Sequence, residues 1–400
     1  MVSLCRKDHN PVVFRLLYLF VYGADALFTP FLALYFDKSG YNEAQASILL
    51  AVVPFSLLAG NIIFGRLAKD YRSALWLLRI LAFLEAAFSL FFTLAGNFPT
   101  LLIATILFAL ANSCYFNIED TYVAVYQKRK GADFTWIRVF GSIAYAVAGV
   151  IGYFLLKDND YRYFFLLGSG LFLLGAIMTW FIYPLTEVGE AKAVAASAAP
   201  KKKLFTRNFV LFFLFYGLLF GAFNGASYIM PLFYKSRGMQ DRFNSLWSGF
   251  RVLIEVIAMF LIPPLQRLIK GKSKTMLFAG GILLSCCLLA LATIPQLTVN
   301  MVSFSVLRGA GMSFFLVFSV LLVTEIVGGV HSPRALSYCS GLSYCAAGIS
   351  NLVTARLASL IGFTWVFLIF FFICLVGLCC LALIKKVPEE VDGFSSSVEA

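Results

Sequence analysis

Residues 117–149 read NIEDTYVAVYQKRKGADFTWIRVFGSIAYAVAG. The stretch joins the end of one apolar run to the start of the next through a short cationic loop, Lys128-Arg129-Lys130. Glu119 and Asp120 stand at the end of the first run, and Arg138 lies about one helical turn inside the second. An ionisable side chain in a hydrophobic span costs about 2.5–3.5 kcal/mol at the membrane centre on insertion scales, so it faces a partner or a water-filled cavity. Asp120 and Arg138 lie toward the same membrane face on runs joined by a short loop, which makes them natural partners.

The surrounding composition fits this reading. Of the 400 residues, 61% are hydrophobic and 13% charged, and the mean hydropathy is +0.87. A soluble chain of this size cannot hide that much apolar surface, and the repeated long apolar runs read as transmembrane helices. The net charge of +12 comes from short basic clusters between the runs. That is the pattern of topology signals, and it argues against a nucleic-acid partner. The nine Cys include Cys286–Cys287 and Cys379–Cys380 inside apolar runs, without the C-x-x-C spacing of a metal or redox site, so neither a metal nor a cofactor is expected.

Twelve spans follow, at residues 11–36, 43–65, 74–96, 100–127, 134–156, 163–185, 208–234, 243–265, 275–294, 297–327, 334–360 and 363–384. The first is too long and too lightly punctuated for a cleaved signal peptide, and Tyr22, Gly23, Asp25 and Pro30 make its middle polar and breakable. The expected fold is an all-α membrane protein: a six-helix half (1–185), a cytoplasmic linker rich in small and polar residues (186–206), a second six-helix half (207–386) and a charged cytoplasmic tail (387–400). With both termini cytoplasmic, the inside segments hold 21 of the 32 Lys and Arg and the outside loops 6, and Arg79, Arg138, Arg251, Arg308 and Arg356 fall within spans. Short loops rich in Lys and Arg stay in the cytoplasm, which sets this orientation. Tyr145, Ala148 and Gly149 recur as Tyr344, Ala347 and Gly348 at an offset of 199. Two related six-helix halves with a substrate site near the midplane are a transporter plan.

Three stretches resemble the major facilitator superfamily, and within it the group holding lactose permease, the nucleoside–proton symporters and the MFS-1-like branch. Residues 65–73, GRLAKDYRS, resemble the G-x-L-A-D-x-x-G-R-K loop between helices 2 and 3, with departures at Lys69 and Arg72. The resemblance implies a gating role for Gly65, Asp70 and Arg72. The eighteen-residue separation of Asp120 and Arg138, followed by Phe140-Gly141-Ser142 and by Tyr145 seven residues after the arginine, resembles the sugar-binding pattern of lactose permease. Residues 249–255, GFRVLIE, followed by Met259-Phe260, resemble helix 8 of the MFS-1-like branch, where a midplane Glu is expected. There are departures. His9 and His331 lie outside the spans, so no histidine relay is present, and Asn224 stands where the permease has an acid.

These observations point to a secondary transporter of a sugar, oligosaccharide or nucleoside-like solute, proton-coupled or driven by another cation. It would work as a monomer in the cell membrane, the cytoplasmic membrane in a bacterium. Asp120, Arg138, Tyr145, Asn117, Tyr22, Asn224 and Arg308 are the expected substrate contacts. Trp136 stands beside them and reads equally as an interface anchor. Asp120 with Arg138 as a purely structural bridge is the alternative, although desolvation offsets much of such a pair's attraction. Glu255, with Asp25 second, is the expected proton carrier. Arg251, four residues from Glu255, reads either as its ion-pair partner or as a modulator. Glu85 is a reserve candidate, because Arg79 six residues away falls on another helix face. Glu325 and Arg356 read as snorkelling anchors. A drug/proton antiporter with a wider, more aromatic cavity and a non-transporting receptor or scaffold are the competing classes. An enzyme is disfavoured, since no metal cluster or nucleotide-binding loop is present, and without a Walker motif ATP is not the energy source.

Overall fold

The computed structural model describes residues 9–65, 67, 71–130, 134–156, 160–184, 205–269, 272–327 and 332–385. Every regular element among them is helical. The first half comprises α1 (Asn10–Phe28), a 3-10 turn (Thr29–Phe31), α2 (Leu32–Lys38), α3 (Glu43–Gly65), α4 (Tyr71–Leu94), α5 (Phe98–Lys130), α6 (Phe134–Leu155) and α7 (Tyr161–Trp180). The second comprises α8 (Arg207–Ser236), α9 (Asp241–Ile269), α10 (Ser273–Thr293), α11 (Leu297–Val327), α12 (Ser332–Ile361) and α13 (Phe363–Ala382). The 3-10 turn carries Pro30, which lacks an N–H and fixes φ, so the first span is broken there and continues as α2.

Among the described residues, ten segments are long and apolar enough to cross a membrane, counting α1 through α2 as one. The two expected spans outside that set are α6, in which the continuous stretch of described side chains is Val139–Leu155, and α12. α12 carries Ser337, Ser340, Ser343, Ser350, Asn351 and Thr354 along its length. It packs against α8, α13 and α3, so polar side chains there meet protein and need not meet lipid. Two further differences concern extents. α5 runs through Lys130, so Glu119 and Asp120 lie ten residues before the helix ends instead of at its end. Arg15, inside the first expected span but absent from the five arginines counted within spans, lies in α1, with its guanidinium 5.6 Å from the Phe140 ring. Nearly all of the expected linker, residues 186–206, and Asp70 of the gating loop lie outside the described residues.

Each half has its own apolar core, one drawn from residues 13–182 and the other from 209–384. In the first half α1 packs on α6 and α7, α4 on α5 and α7, and α3 on α5. In the second, α8 packs on α12 and α13, α10 on α11 and α13, and α9 on α11. The two patterns correspond helix for helix. The halves meet through α6 against α9 and α3 against α12, a pair of contacts that the same correspondence exchanges.

Glycines make those crossings close. A Cβ on Gly149 of α6 would sit 2.8 Å from the Ser245 carbonyl oxygen, and one on Gly249 of α9 would sit 3.1 Å from Ala146 Cα. Gly348, the repeat partner of Gly149, lies at the other crossing, where a Cβ would come within 2.8 Å of the Phe55 ring. The short internal repeat therefore marks the two places where the halves touch. Around these crossings and toward one end of the bundle, Lys235 pairs with Asp37 at 2.7 Å, Tyr161 donates to Asp241 at 2.8 Å and Asn244 donates to the Pro30 carbonyl at 2.9 Å. Asn351 donates to the Leu50 carbonyl at 3.1 Å.

Gly149→Ala is expected to destabilise the protein by about 1–3 kcal/mol, because backbone on the facing helix cannot yield as a flexible side chain would. Gly170→Ala, on α7 with nothing within 4 Å of the added Cβ, is the control and should melt like the parent. Thermal melts of both variants in detergent check this. Equal melting temperatures would show that the α6–α9 crossing relaxes freely.

Candidate functional site

Two helix faces build the central cavity. On α8, Asn224, Ser227, Tyr228 and Pro231 follow the i, i+3, i+4, i+7 rhythm of a single face. On α9, Ser248, Arg251 and Val252 do the same, and Glu255 continues the stripe one turn on. Thr29, Pro30 and Ala33 from the broken first span, Tyr145 from α6 and Arg308 from α11 complete a cavity of about 200 Å³. Its walls come from both halves. At 1.5 Å per residue, Asp25 lies about 22 Å along α1, Arg251 about 15 Å along α9 and Arg308 about 16 Å along α11, which is mid-bundle in each case.

The charged groups at this depth have defined partners. Arg308 Nη1 donates to Glu255 Oε2 at 3.4 Å, with the two side chains 22% and 18% exposed. Close packing of α9 on α11 positions the pair. A Cβ on Gly309 would lie 3.0 Å from the Glu255 backbone nitrogen, and Ser313 Oγ donates to the Glu255 carbonyl at 2.9 Å. Arg251 does not take Glu255, although the two stand four residues apart. Its Nη2 donates to Ser248 Oγ at 2.6 Å, its Nη1 reaches Met230 Sδ at 3.5 Å, and its guanidinium carbon lies 6.0 Å from the Phe304 ring centroid. Asp25 accepts from Thr29 Oγ1 at 2.6 Å and from Tyr145 OH at 3.5 Å. Tyr145 and Asp25, expected in different roles, are thus neighbours.

The other expected contacts form a separate group. Asp120 lies about 33 Å along α5, level with Tyr18 and Tyr22 of α1, which precede Asp25 by about two turns and one turn. Its Oδ1 accepts from Tyr18 OH and, at 3.4 Å, from Tyr22 OH. The Tyr18 and Tyr22 rings stack with centroids 5.2 Å apart, and Phe116 meets Tyr22 edge-on at 4.9 Å. Asn117 is exposed on α5. The side chains of Arg138 and Trp136 lie outside the described residues, Gly65 ends α3, and Arg72 is exposed in the first turn of α4. Glu85 is fully buried and accepts from Asn112 Nδ2 at 2.7 Å. Arg79 faces elsewhere, bonding the Thr179 and Ile182 carbonyls and standing over Trp76 and Trp180. Ser273 Oγ donates to Glu325, tying α10 to α11.

Several site residues were not singled out from the sequence: Thr29, Ser227, Tyr228, Ser248 and, beside Asp120, Tyr18. Their signal was present. Ser227 and Tyr228 follow Asn224 by three and four residues, Ser248 precedes Arg251 by three, and Tyr18 precedes Tyr22 by four. Both Pro30 and Pro231 line the cavity, where a kink frees backbone groups that a protein interior, unlike lipid, can satisfy.

The family model described as Major Facilitator Superfamily matches residues 15–302 and 256–400. The chain is 24% identical over 137 residues to the maltose permease of Geobacillus stearothermophilus, covering 34% of this chain and 35% of that protein. It is 24% identical over 184 residues to the probable 3-phenylpropionic acid transporter of Escherichia coli (strain K12), covering 45% of this chain and 48% of that protein. The match therefore spans about a third to a half of these relatives' lengths. Among solved structures, a mutant of the nucleoside transporter NupG is similar with a TM-score of 0.77 at 14% identity, covering 94% of this chain and 100% of that one. That likeness is one of fold.

Glu255→Gln and Arg308→Gln are each expected to lower the melting temperature, because either leaves a partly buried charge or amide without its partner. The cost should fall below the roughly 3–5 kcal/mol of a fully buried pair, since both side chains keep some exposure. The double variant should recover part of the loss, with a coupling energy of about 0.5–3 kcal/mol. Strictly additive melts would show that the two groups do not interact.

Proposed function

The chain belongs to the major facilitator superfamily, and we propose that it is a secondary transporter moving a small polar solute across its membrane by alternating access, driven by a proton gradient. The observation that carries this reading is the mid-bundle cavity walled by both halves and lined by Tyr145, Asn224, Arg251 and Arg308. A site shared between two halves can open to either side as they rock about it. Among the described residues, the interhalf bonds of Asp37–Lys235, Tyr161–Asp241 and Asn244–Pro30 gather toward one end, which is compatible with one closed state of such a cycle. The reading takes all twelve helical segments as spans with both termini cytoplasmic, and the loop of Gly65, Asp70 and Arg72 as the gate of the opposite end.

Solute size and polarity follow from the cavity and agree with the relatives' names, a sugar permease and an aromatic acid transporter. A drug antiporter would need a wider, more aromatic cavity than one of about 200 Å³ that holds two arginines. A scaffold would have no use for so many charges at a depth where each is costly. In the proposed cycle Tyr145, Asn224 and Arg308 contact the solute in the cavity. Asp120 and Arg138, with Tyr22 and Asn117, contact it on the path toward the gate loop. Glu255 and Asp25 are the proposed coupling acids: Glu255 neutralises Arg308 in one state, and Asp25, bonded to hydroxyls alone among the described residues, exchanges a proton with the cavity.

Proteoliposomes with an imposed proton gradient test the function against a panel of sugars, nucleosides and small organic acids. Accumulation of a panel member that collapses with an uncoupler is the expected result. No accumulation under either a proton or a sodium gradient would overturn the reading. Asp25→Asn and Glu255→Gln then assign coupling. The coupling residue loses gradient-driven accumulation and keeps downhill exchange, whereas a residue whose replacement spares accumulation is structural.

A further inference from the structure

We infer that the central cavity is built for a solute carrying one carboxylate, and that Arg251 is the residue that binds it. The inference names the solute class of the transport site proposed above and rests on that reading for its physiological meaning. The cavity holds two guanidinium groups, Arg251 and Arg308. Arg308 has its counter-charge in Glu255. Arg251 has a hydroxyl and a thioether, and among the described residues no carboxylate lies within ion-pair distance of it. Asp25, the remaining acid beside the cavity, is engaged by Thr29 and Tyr145. A guanidinium offers five N–H donors in a planar fork, and here one of them meets an oxygen. A positive charge held at mid-membrane depth with so few acceptors is costly without an anion, and unpaired intramembrane charges mark ligand sites.

The geometry selects the anion. A planar carboxylate matches a guanidinium fork bidentately. A phosphate dianion would call on the second cation as well, and Glu255 already occupies it. Tyr145 and Tyr228 supply ring surface for the body of the solute, and Asn224 and Ser227 supply hydrogen bonds beside it. At about 200 Å³ the space falls below the roughly 300–1,000 Å³ of drug-sized pockets, which limits the solute to a small monocarboxylate. Arg251 thereby moves from a modulator of Glu255 to the principal solute contact.

Equilibrium binding of radiolabelled benzoate and short aliphatic monocarboxylates to the purified full-length protein tests this, with benzamide, glucose, uridine and inorganic phosphate as competitors. A carboxylate should bind, and its amide should compete at least about tenfold more weakly. Arg251→Gln should weaken carboxylate binding by about 10- to 100-fold. Arg251→Lys, which keeps the charge and loses the fork, should fall between the two. Preference for a neutral competitor or for phosphate, absence of carboxylate binding, or wild-type affinity in a monodisperse Arg251→Gln protein would overturn the inference. If that variant does not fold, the wild-type preference of acid over amide decides. Uptake in proteoliposomes is scored separately. Carboxylate binding without accumulation sinks the transport reading and leaves the anion site standing, and accumulation of a neutral solute alone does the reverse.

Discussion

Hydrocarbon offers no solvent to a charge, and the placement of polar groups in this protein follows from that constraint. Arg79 spends its donors on the free carbonyls at the end of α7 and covers its face with two tryptophans. Glu85 is enclosed by protein and bonded to an amide. Glu255, Arg251 and Arg308 lie at or beside one cavity at mid-depth, and Asp25 stands beside it. Arg79 and one carboxylate oxygen of Glu85 are satisfied locally. The charges beside the cavity keep capacity for something from outside, which is why the cavity reads as a site and Arg79 as an anchor.

The second organising feature is close helix approach. Water gives no hydrophobic drive between helices inside a bilayer, so packing and small residues must hold them. Gly149 and Gly249 let α6 and α9 meet backbone to backbone, and Gly348 accepts the Phe55 ring at the matching crossing. The α6–α9 crossing flanks the cavity through Tyr145, Ser248 and Arg251, so a surface that joins the halves is also one on which they would rock. A tighter or more polar junction would hold the protein in one state. The interhalf hydrogen bonds among the described residues are compatible with a cycle in which they break.

The two prolines at the cavity illustrate how a local defect becomes a functional surface. Pro30 breaks the first span and Pro231 interrupts α8. In lipid each would strand backbone carbonyls. Both line one polar cavity together with Thr29 and Ser227, and Thr29 in turn bonds Asp25.

The sequence alone determined the class of fold. Apolar runs of bilayer length, the Lys and Arg bias and the short repeat identified a two-half helical membrane protein, because each depends only on composition and linear spacing. It also named the ionisable residues at or beside the cavity, Asp25, Arg251, Glu255 and Arg308, since such groups in apolar runs stand out without any structure. Tertiary structure alone decided who partners whom. Arg251 and Glu255 share a helix face, yet Glu255 is taken by Arg308 from a helix more than fifty residues away, since α9 packs on α11 closely enough to bring them together. Asp120 accepts from Tyr18 and Tyr22 of α1, about a hundred residues away in the chain, a partnership that no spacing within α5 announces. Spacing along a chain fixes a side chain's depth and face within its own helix. Which other helix that face meets is set by packing among all the helices, and no local pattern encodes it.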